Sequence, residues 1–359
     1  MEFNFKEPKL EIVKILRNTN ILREYLIEHR IPNLQSHLLS TNELTRIHEI
    51  NTKIVEEIAA KRAEDPENES HLLECDRMLG EHYAATLDIK EMEDIMSDLE
   101  HRSTSTSLLM DMQLCRMRVA MIIRNEEMLR RAYNKARELS EKACDWDRRN
   151  KFKVYDALYL LTRRRLSESA KLFAETLPTF ESSELISYDE CVLYAIFTGL
   201  ISFSREEIRK KIVENSEILE INKGGHGIST RAAYSLSKTF YGCDYQRFLI
   251  DLSNFADSIR DEIYLRRLVD FFVKEMKIKA YRQLLDSYKS LSIHELSNVF
   301  GISEEFLERD ISNYIVDGRI QCVIDRVERI IMVSERNKCD EEELIKKGEE
   351  LIRLIKSKI

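Results

Sequence analysis

The chain has 359 residues, 43% of them hydrophobic and 33% charged, with only 9 Gly and 4 Pro. So few turn residues exclude an all-β fold, which needs them every ~8–12 positions, and the abundance of Leu, Ile, Glu, Lys and Arg favours helices. The formal net charge of −8 removes any global pull toward nucleic acid or an anionic membrane, and no apolar run nears the ~20 residues of a membrane span.

Met1 to Lys9 mixes acids and bases without an apolar stretch, so no secretory leader is expected. From Leu10 to about Glu220 amphipathic helices follow one another. Their breaks are expected at Ile31-Pro32-Asn33, Glu64 to Asn68, His101 to Thr104, Cys144-Asp145 and Leu177-Pro178. Residues 1–100 read as N-terminal helices and 101–228 as a helical-repeat solenoid. Met110, Leu114, Met117 and Met121 form one apolar stripe, answered by Leu129, Ala132, Tyr133, Ala136 and Leu139. The rhythm returns in Phe152, Tyr155, Leu158 and Tyr159, then Leu166, Ala170, Phe173 and Leu177, with Ala132 and Ala170 38 positions apart. That period belongs to stacked helical hairpins of the tetratricopeptide (TPR-like) kind, whose shared core leaves an extended concave surface.

Asn222 to Gly227 is the one Gly-rich stretch. It lacks the strand and the GxxxxGK[ST] spacing of a phosphate-binding loop and is expected to be a connector. Two or three helices follow from about Tyr245 to Ser290. Residues 229–335 read as one domain, with a winged helix over 290–333. In it, Ser292 and Glu295 stand at capping-box spacing before a short helix to Phe300. Gly301-Ile302-Ser303 makes the turn, and Glu304 to Val316 is a second helix opened by acids. After Asp317-Gly318, Arg319 to Asp325 alternates with Ile320, Cys322 and Ile324 on one face, and Arg329 to Val333 forms the second wing strand. That strand is expected to offer an edge through Ile330, Ile331 and Val333. A last helix over 340–359 carries a seam of Leu344, Leu351 and Ile355, with Ile345, Ile352 and Ile359 at intervals of seven. The seam needs a cover, either a partner helix or its own domain.

Catalytic signatures are missing. His294-Glu295-Leu296-Ser297-Asn298 and His48-Glu49-Ile50-Asn51-Thr52 begin like the zinc-protease HExxH motif but lack its second imidazole. No His-x-His, GxSxG, GxGxxG or kinase pattern occurs. The seven cysteines are nowhere closer than 17 positions, which excludes CxxC zinc ligation and fits reduced thiols. No catalytic residue, metal or cofactor is expected. Between Ser290 and Val333 four bases face eight acids, so the winged helix is not expected to read DNA, whose affinity depends on neutralising phosphates.

A helical-repeat array running into a winged helix and a terminal helix resembles the PCI-domain proteins, scaffold subunits of the proteasome lid, the COP9 signalosome and translation initiation factor three. Asp145 to Tyr155, Leu158-Tyr159, Ala170 to Phe173, Ala280 to Leu291 and Asp317 to Val327 carry the likeness, which within the family is to non-ATPase subunits of the proteasome lid. It extends from about Leu139 to Val333, with a shortened N-terminal region and a departure at the Gly-rich loop. The resemblance implies a non-enzymatic scaffold of cytoplasm and nucleus. Winged helices would associate side by side, and C-terminal helices would join a shared bundle. Other PCI-domain lid subunits and a small acidic tethering protein would be its partners, with no membrane and no nucleic acid. A signalosome subunit of the same class, and a nucleic-acid-binding or translation-initiation PCI protein, are the alternatives. The latter requires a basic patch, and Arg260 to Lys289 offers only eight bases against five acids.

Overall fold

Helix formers punctuated by few glycines fold, in the computed structural model, into fifteen α-helices and one three-stranded sheet among the described residues. These are 41–142, 145–223, 227–260, 262, 264–333 and 347–348. The described residues pack as two compact units, the first running to residue 160 and taking in 178–187, the second built from 161–177 and from 188 onward.

The first unit opens with α1 (Thr41–Glu64), α2 (Glu69–Thr86) and α3 (Ile89–Arg102), continues through α4 (Thr106–Ile123) and α5 (Glu126–Glu141), and takes in most of α6 (Trp146–Thr162). α2 packs on α3 and α4 on α5 as successive hairpins. Asn68 and Asn125 cap α2 and α5, their side chains accepting from the His71 and Met128 amides. Such caps satisfy amides that the first helical turn leaves unpaired. Met92, Met96 and Leu99 of α3 pack with Ala84, Leu87, Met112, Cys115 and Val119 in one core cluster. α4 is buried on most of its circumference, as befits a helix with neighbours on several sides. On α5 the buried stripe is Leu129, Ala132, Tyr133 and Ala136, the face its sequence pattern marks. Tyr133 stacks on Tyr159 with centroids 4.1 Å apart and donates to Asp156.

The chain also stops helices where no glycine warns of it. Leu87 and Arg124 end α2 and α4 in the left-handed conformation, at φ 58° and 59°. Glycine usually fills that role, so the sign of the break at Arg124 is the cap that follows it, Asn125 with Glu126 and Glu127 in the first turn of α5.

The second unit begins with α7 (Leu166–Thr176) and a 3-10 turn at Leu177. α8 (Tyr188–Ser202) is its buried centre, packed on α7. There Gly199 allows close approach, since a β-carbon would stand 2.8 Å from Ile212. α9 (Arg205–Ile208) opens with a full Ser204/Glu207 capping box and runs into a π-helical turn, Arg209–Val213. α10 (Ser216–Lys223), α11 (Ile228–Tyr241), α12 (Tyr245–Ser258) and α13 (Val269–Leu285) follow. α13 is the spine. Its Phe272 stacks on Phe197 at 4.5 Å and meets Phe255 edge-on at 5.3 Å, while its Tyr281 meets Phe300 of the winged helix at 4.8 Å.

That winged helix comprises β1 (Ser290–Ser292), α14 (Ile293–Phe300), α15 (Glu304–Val316), β2 (Cys322–Asp325) and β3 (Ile330–Val333). The Ser292 hydroxyl accepts from the Glu295 amide at 3.1 Å, as the capping spacing predicts. Gly301 turns at φ 65° and Gly318 at φ 69°. The antiparallel sheet has the order β1-β3-β2, so β3 is the central strand, contrary to the edge expected of it. The reason is β1. Three residues before α14 pair Ser290, Leu291 and Ser292 with Met332, Ile331 and Ile330 and occupy the side of β3 that the sequence left open.

Gly224 to His226 and the expected break at Ile31 to Asn33 lie outside the described residues. So does the C-terminal helix, apart from 347–348.

Candidate interaction surfaces

Among the described residues, one surface on each unit stands out, a charged groove on the first and an exposed apolar sheet face on the second. In the first unit, α2, α4 and α6 line a groove of about 520 Å³ together with Glu181 and Glu184. Its charges answer one another. Arg148 grips Asp111 with two bonds of 2.9 and 2.7 Å and reaches Asp145 at 2.8 Å, the two-pronged geometry that favours Arg over Lys. Lys151 lies 3.5 Å from Glu184, and Arg77 is held by Glu74 and Glu81. Arg118 donates to the Cys115 sulfur at 3.6 Å. Burial pushes the Cys115 thiol up, against the pull of Arg118, and pushes the Tyr155 hydroxyl far up as well. A thiol held protonated is a poor nucleophile, so Cys115 is not primed for attack.

In the second unit the surface is the sheet of the winged helix. The period of two places Ile331, Val333, Cys322 and Ile324 toward α14 and α15, and Ile330, Met332 and Val323 outward. Met332 and Val323 are directly opposite each other on β3 and β2, 46% and 56% exposed, and Val327 in the connecting turn is 94% exposed. Apolar side chains set side by side in water mark an interaction site more strongly than scattered ones do. The outer edge of β2 pairs with no strand among the described residues.

Around this sheet the bases are already engaged. Arg319 lies 2.6 Å from Glu275, Arg326 2.9 Å from Glu308, and Arg329 2.8 Å from Glu304. The fourth base, Arg309, sits over the Phe306 ring. α15, which would enter a DNA groove, is thus lined with acids that hold its neighbours' guanidinium groups. His294, the start of the broken HExxH, has Nδ1 2.8 Å from Glu304 and Nε2 3.1 Å from the Asn298 amide nitrogen. The residue that replaces the second zinc ligand therefore serves as its hydrogen-bond neighbour. Among the described residues no three His, Cys, Asp or Glu side chains converge as a metal site, and no helix is long and apolar enough to cross a membrane.

The residues singled out in the sequence fare unevenly. Ile331 is 0% exposed and belongs to the core. Val333 faces inward opposite Cys322, and Ile330 lies outward beside Met332, half-buried. The strand edge is corrected from β3 to β2. Leu344, Leu351 and Ile355 lie outside the described residues. Val323 and Met332 were missed, although the same alternation that turns Cys322 and Ile324 inward turns Val323 outward.

Comparison with known proteins places both units in one family. A family model described as 26S proteasome subunit RPN7 matches residues 41–211, and one described as PCI domain matches 248–335. The first match begins well before Leu139, where the likeness of individual stretches starts. The 26S proteasome regulatory subunit RPN7 of Saccharomyces cerevisiae is 33% identical over 321 residues, 87% of this chain and 73% of its own length. The 26S proteasome non-ATPase regulatory subunit 6 of Dictyostelium discoideum is 29% identical over 92% of this chain and 83% of its own. The 26S proteasome regulatory subunit rpn7 of Schizosaccharomyces pombe is 30% identical over 82% and 74%.

Proposed function

The chain belongs to the RPN7 family of 26S proteasome regulatory subunits, and from that premise we propose that it is a non-catalytic scaffold of the regulatory-particle lid. In this reading it supports assembly of the lid, and through it ubiquitin-dependent protein degradation, in cytoplasm and nucleus. The observation that carries the scaffold role is the outer face of the winged helix. Val323 and Met332 are exposed together beside an open strand edge, on a module whose Arg326 and Arg329 are held by its own acids. Such a face suits a protein neighbour. Another PCI-domain subunit adding a strand to β2 would gain main-chain hydrogen bonds and cover both side chains. The ion-paired groove of the first unit suits a polar segment, and a small acidic tethering protein is a further expected neighbour of the chain. The Leu344, Leu351 and Ile355 seam is assigned to a shared helical bundle. Under that assignment Leu351→Asp releases the chain from its complex and leaves it folded, as measured by co-sedimentation and circular dichroism.

The test is native purification of a tagged chain. Recovery of ATP-dependent peptidase activity together with ATPase and PCI-domain subunits is expected. Recovery with cullin-modifying subunits and no peptidase would move the chain to the signalosome. Recovery alone or with RNA would overturn the reading.

A further inference from the structure

One base of the charged groove in the first unit is left unanswered. Asp111, Leu114, Cys115 and Arg118 line it from one face of α4, at the i, i+3, i+4, i+7 spacing of helical neighbours. Of the nine charged residues that line the groove, six close on one another, Arg77 on Glu81, Arg148 on Asp111 and Lys151 on Glu184. Arg118 donates once, to the Cys115 sulfur at 3.6 Å, and no carboxylate stands within ion-pair distance of it among the described residues. Asp147 and Glu181 likewise hold no base among those residues. The slot on the opposite face of α4, between α3 and α5, shows the contrast. Its bases all have carboxylates, Arg116 on Glu93 and Glu100, Lys135 on Glu100 and Arg131 on Glu127.

Arg118 is also half-buried, so its guanidinium has given up part of its hydration, and a charge in that state is stabilised by an acceptor. Its Nε and Nη1 have no partner among the described residues, yet neither is sealed from the groove. A ligand can therefore reach them, and an incoming carboxylate can accept two N–H bonds from the one side chain. Leu114, Cys115 and Tyr155 beneath are closed to solvent, so the groove offers charges and little apolar surface. Asp147 and Glu181 are exposed and form its rim.

These charges select the ligand. Five carboxylates against four bases line the groove, which repels polyanions such as nucleic acid or polyphosphate. A metal ion is not served either, since no three ligating side chains converge among the described residues. What is left open is one cationic position inside and two anionic positions at the rim. A molecule with a carboxylate at one end and an ammonium at the other fits that order. We propose that this groove binds a small zwitterion, a free amino acid or a short peptide, with its carboxylate on Arg118 and its ammonium toward Asp147 and Glu181. The volume of about 520 Å³ lies in the roughly 300–1,000 Å³ range of small-molecule sites. A free amino acid holds both charges on one carbon, whereas a tripeptide separates them by about 10 Å, so the two sources part on that distance. The site stands whether or not the chain joins an assembly.

The test is a saturation-transfer NMR titration of the full chain with glycine and with triglycine. Binding of at least one is expected, and the tighter of the two names the source. Its C-terminal amide, which lacks the carboxylate, should bind about tenfold more weakly or worse. Its N-acetyl form, which lacks the ammonium, should lose only about threefold. Arg118→Met should cost as much as amidation and add nothing to it, because both remove the same contact. Glu181→Gln changes an exposed residue and leaves the fold alone. It should weaken the free-amine ligand about threefold and leave the acetylated one unchanged, which keeps the proposal decidable if Arg118→Met does not fold. No binding of either ligand up to about 10 mM, or equal binding of the amide, would overturn the proposal. Displacement of the ligand by inorganic phosphate at equal concentration would reduce the groove to a plain anion site and overturn it too. So would binding that the free chain shows and its native assembly loses, which would give the groove to a neighbouring subunit.

Discussion

The hairpin unit and the winged helix solve opposite problems with the same amino acids. In the hairpins the apolar residues turn inward, Met92, Met96, Met110 and Met117 among the most buried. The charges close on one another, as Arg148 does on Asp111 and the buried Arg116 on Glu93 and Glu100. The winged helix also buries a core, around Leu296, Phe300, Leu307, Ile311 and Ile331, yet leaves Val323, Val327 and Met332 in water. A surface of answered charges recognises by shape and hydrogen bonds and adds little energy per ion pair. An exposed apolar face gains roughly 25 cal/mol for every Å² a partner covers. The difference separates a surface whose charges are answered from within, in the first unit, from one that leaves apolar side chains to water, in the second.

The sharpest break of that comparison is within one sheet. Ile331→Asp places an unpaired carboxylate in the core between Leu291 and Ile324 and should cost more than ~4 kcal/mol. Loss of the cooperative unfolding transition of the second unit in urea checks it.

A smaller effect joins α13 to α8. Lys279 donates to the Leu200 and Phe203 carbonyls at 2.8 and 3.1 Å, and burial pulls its pKa down from 10.5 to about 8 despite Glu275. Between those values the unfolded chain holds a proton that the folded chain has released, so this lysine adds stability as pH rises and withdraws it as pH falls through about 8. The wild-type stability minus that of Lys279→Met should therefore climb from pH 8 to 10.5 in chemical denaturation. A flat difference would deny the buried charge.

Smaller again is the cap of the winged helix. Ser292→Ala should cost about 1 kcal/mol and shift the urea midpoint without changing its slope.

The smallest expected change in stability is at the outward twin of Ile331. Val323→Asp should move the unfolding free energy by no more than about 0.5 kcal/mol, while native gels show the chain lost from its assembly. A folded, fully assembled Val323→Asp chain would erase the distinction between the sheet's two faces.

These paired residues also show what the sequence could reveal. The cap at Ser292, the turns at Gly301 and Gly318 and the alternation around Cys322 are local signals, and each is where the pattern put it. The hairpin stripes on α4 and α5 were legible for the same reason. The position of β3 was not, because β1 is three residues long and its pairing with β3 joins segments about 40 positions apart. The same holds for the grooves. Arg148 finds Asp111 across 37 positions and Lys135 finds Glu100 across 35, distances over which spacing carries no information. The helix end at Leu87 escaped because a non-glycine residue adopts the left-handed turn there.

The central claim, that the chain is a structural part of a proteasome-type assembly, is tested most directly by depletion and replacement. Native electrophoresis with a fluorogenic peptide overlay would follow the peptidase as the chain is removed and restored. The account predicts that depletion moves activity to a smaller species, that the wild-type chain restores the larger one, and that Val323→Asp does not. Peptidase migration unchanged by depletion would contradict it.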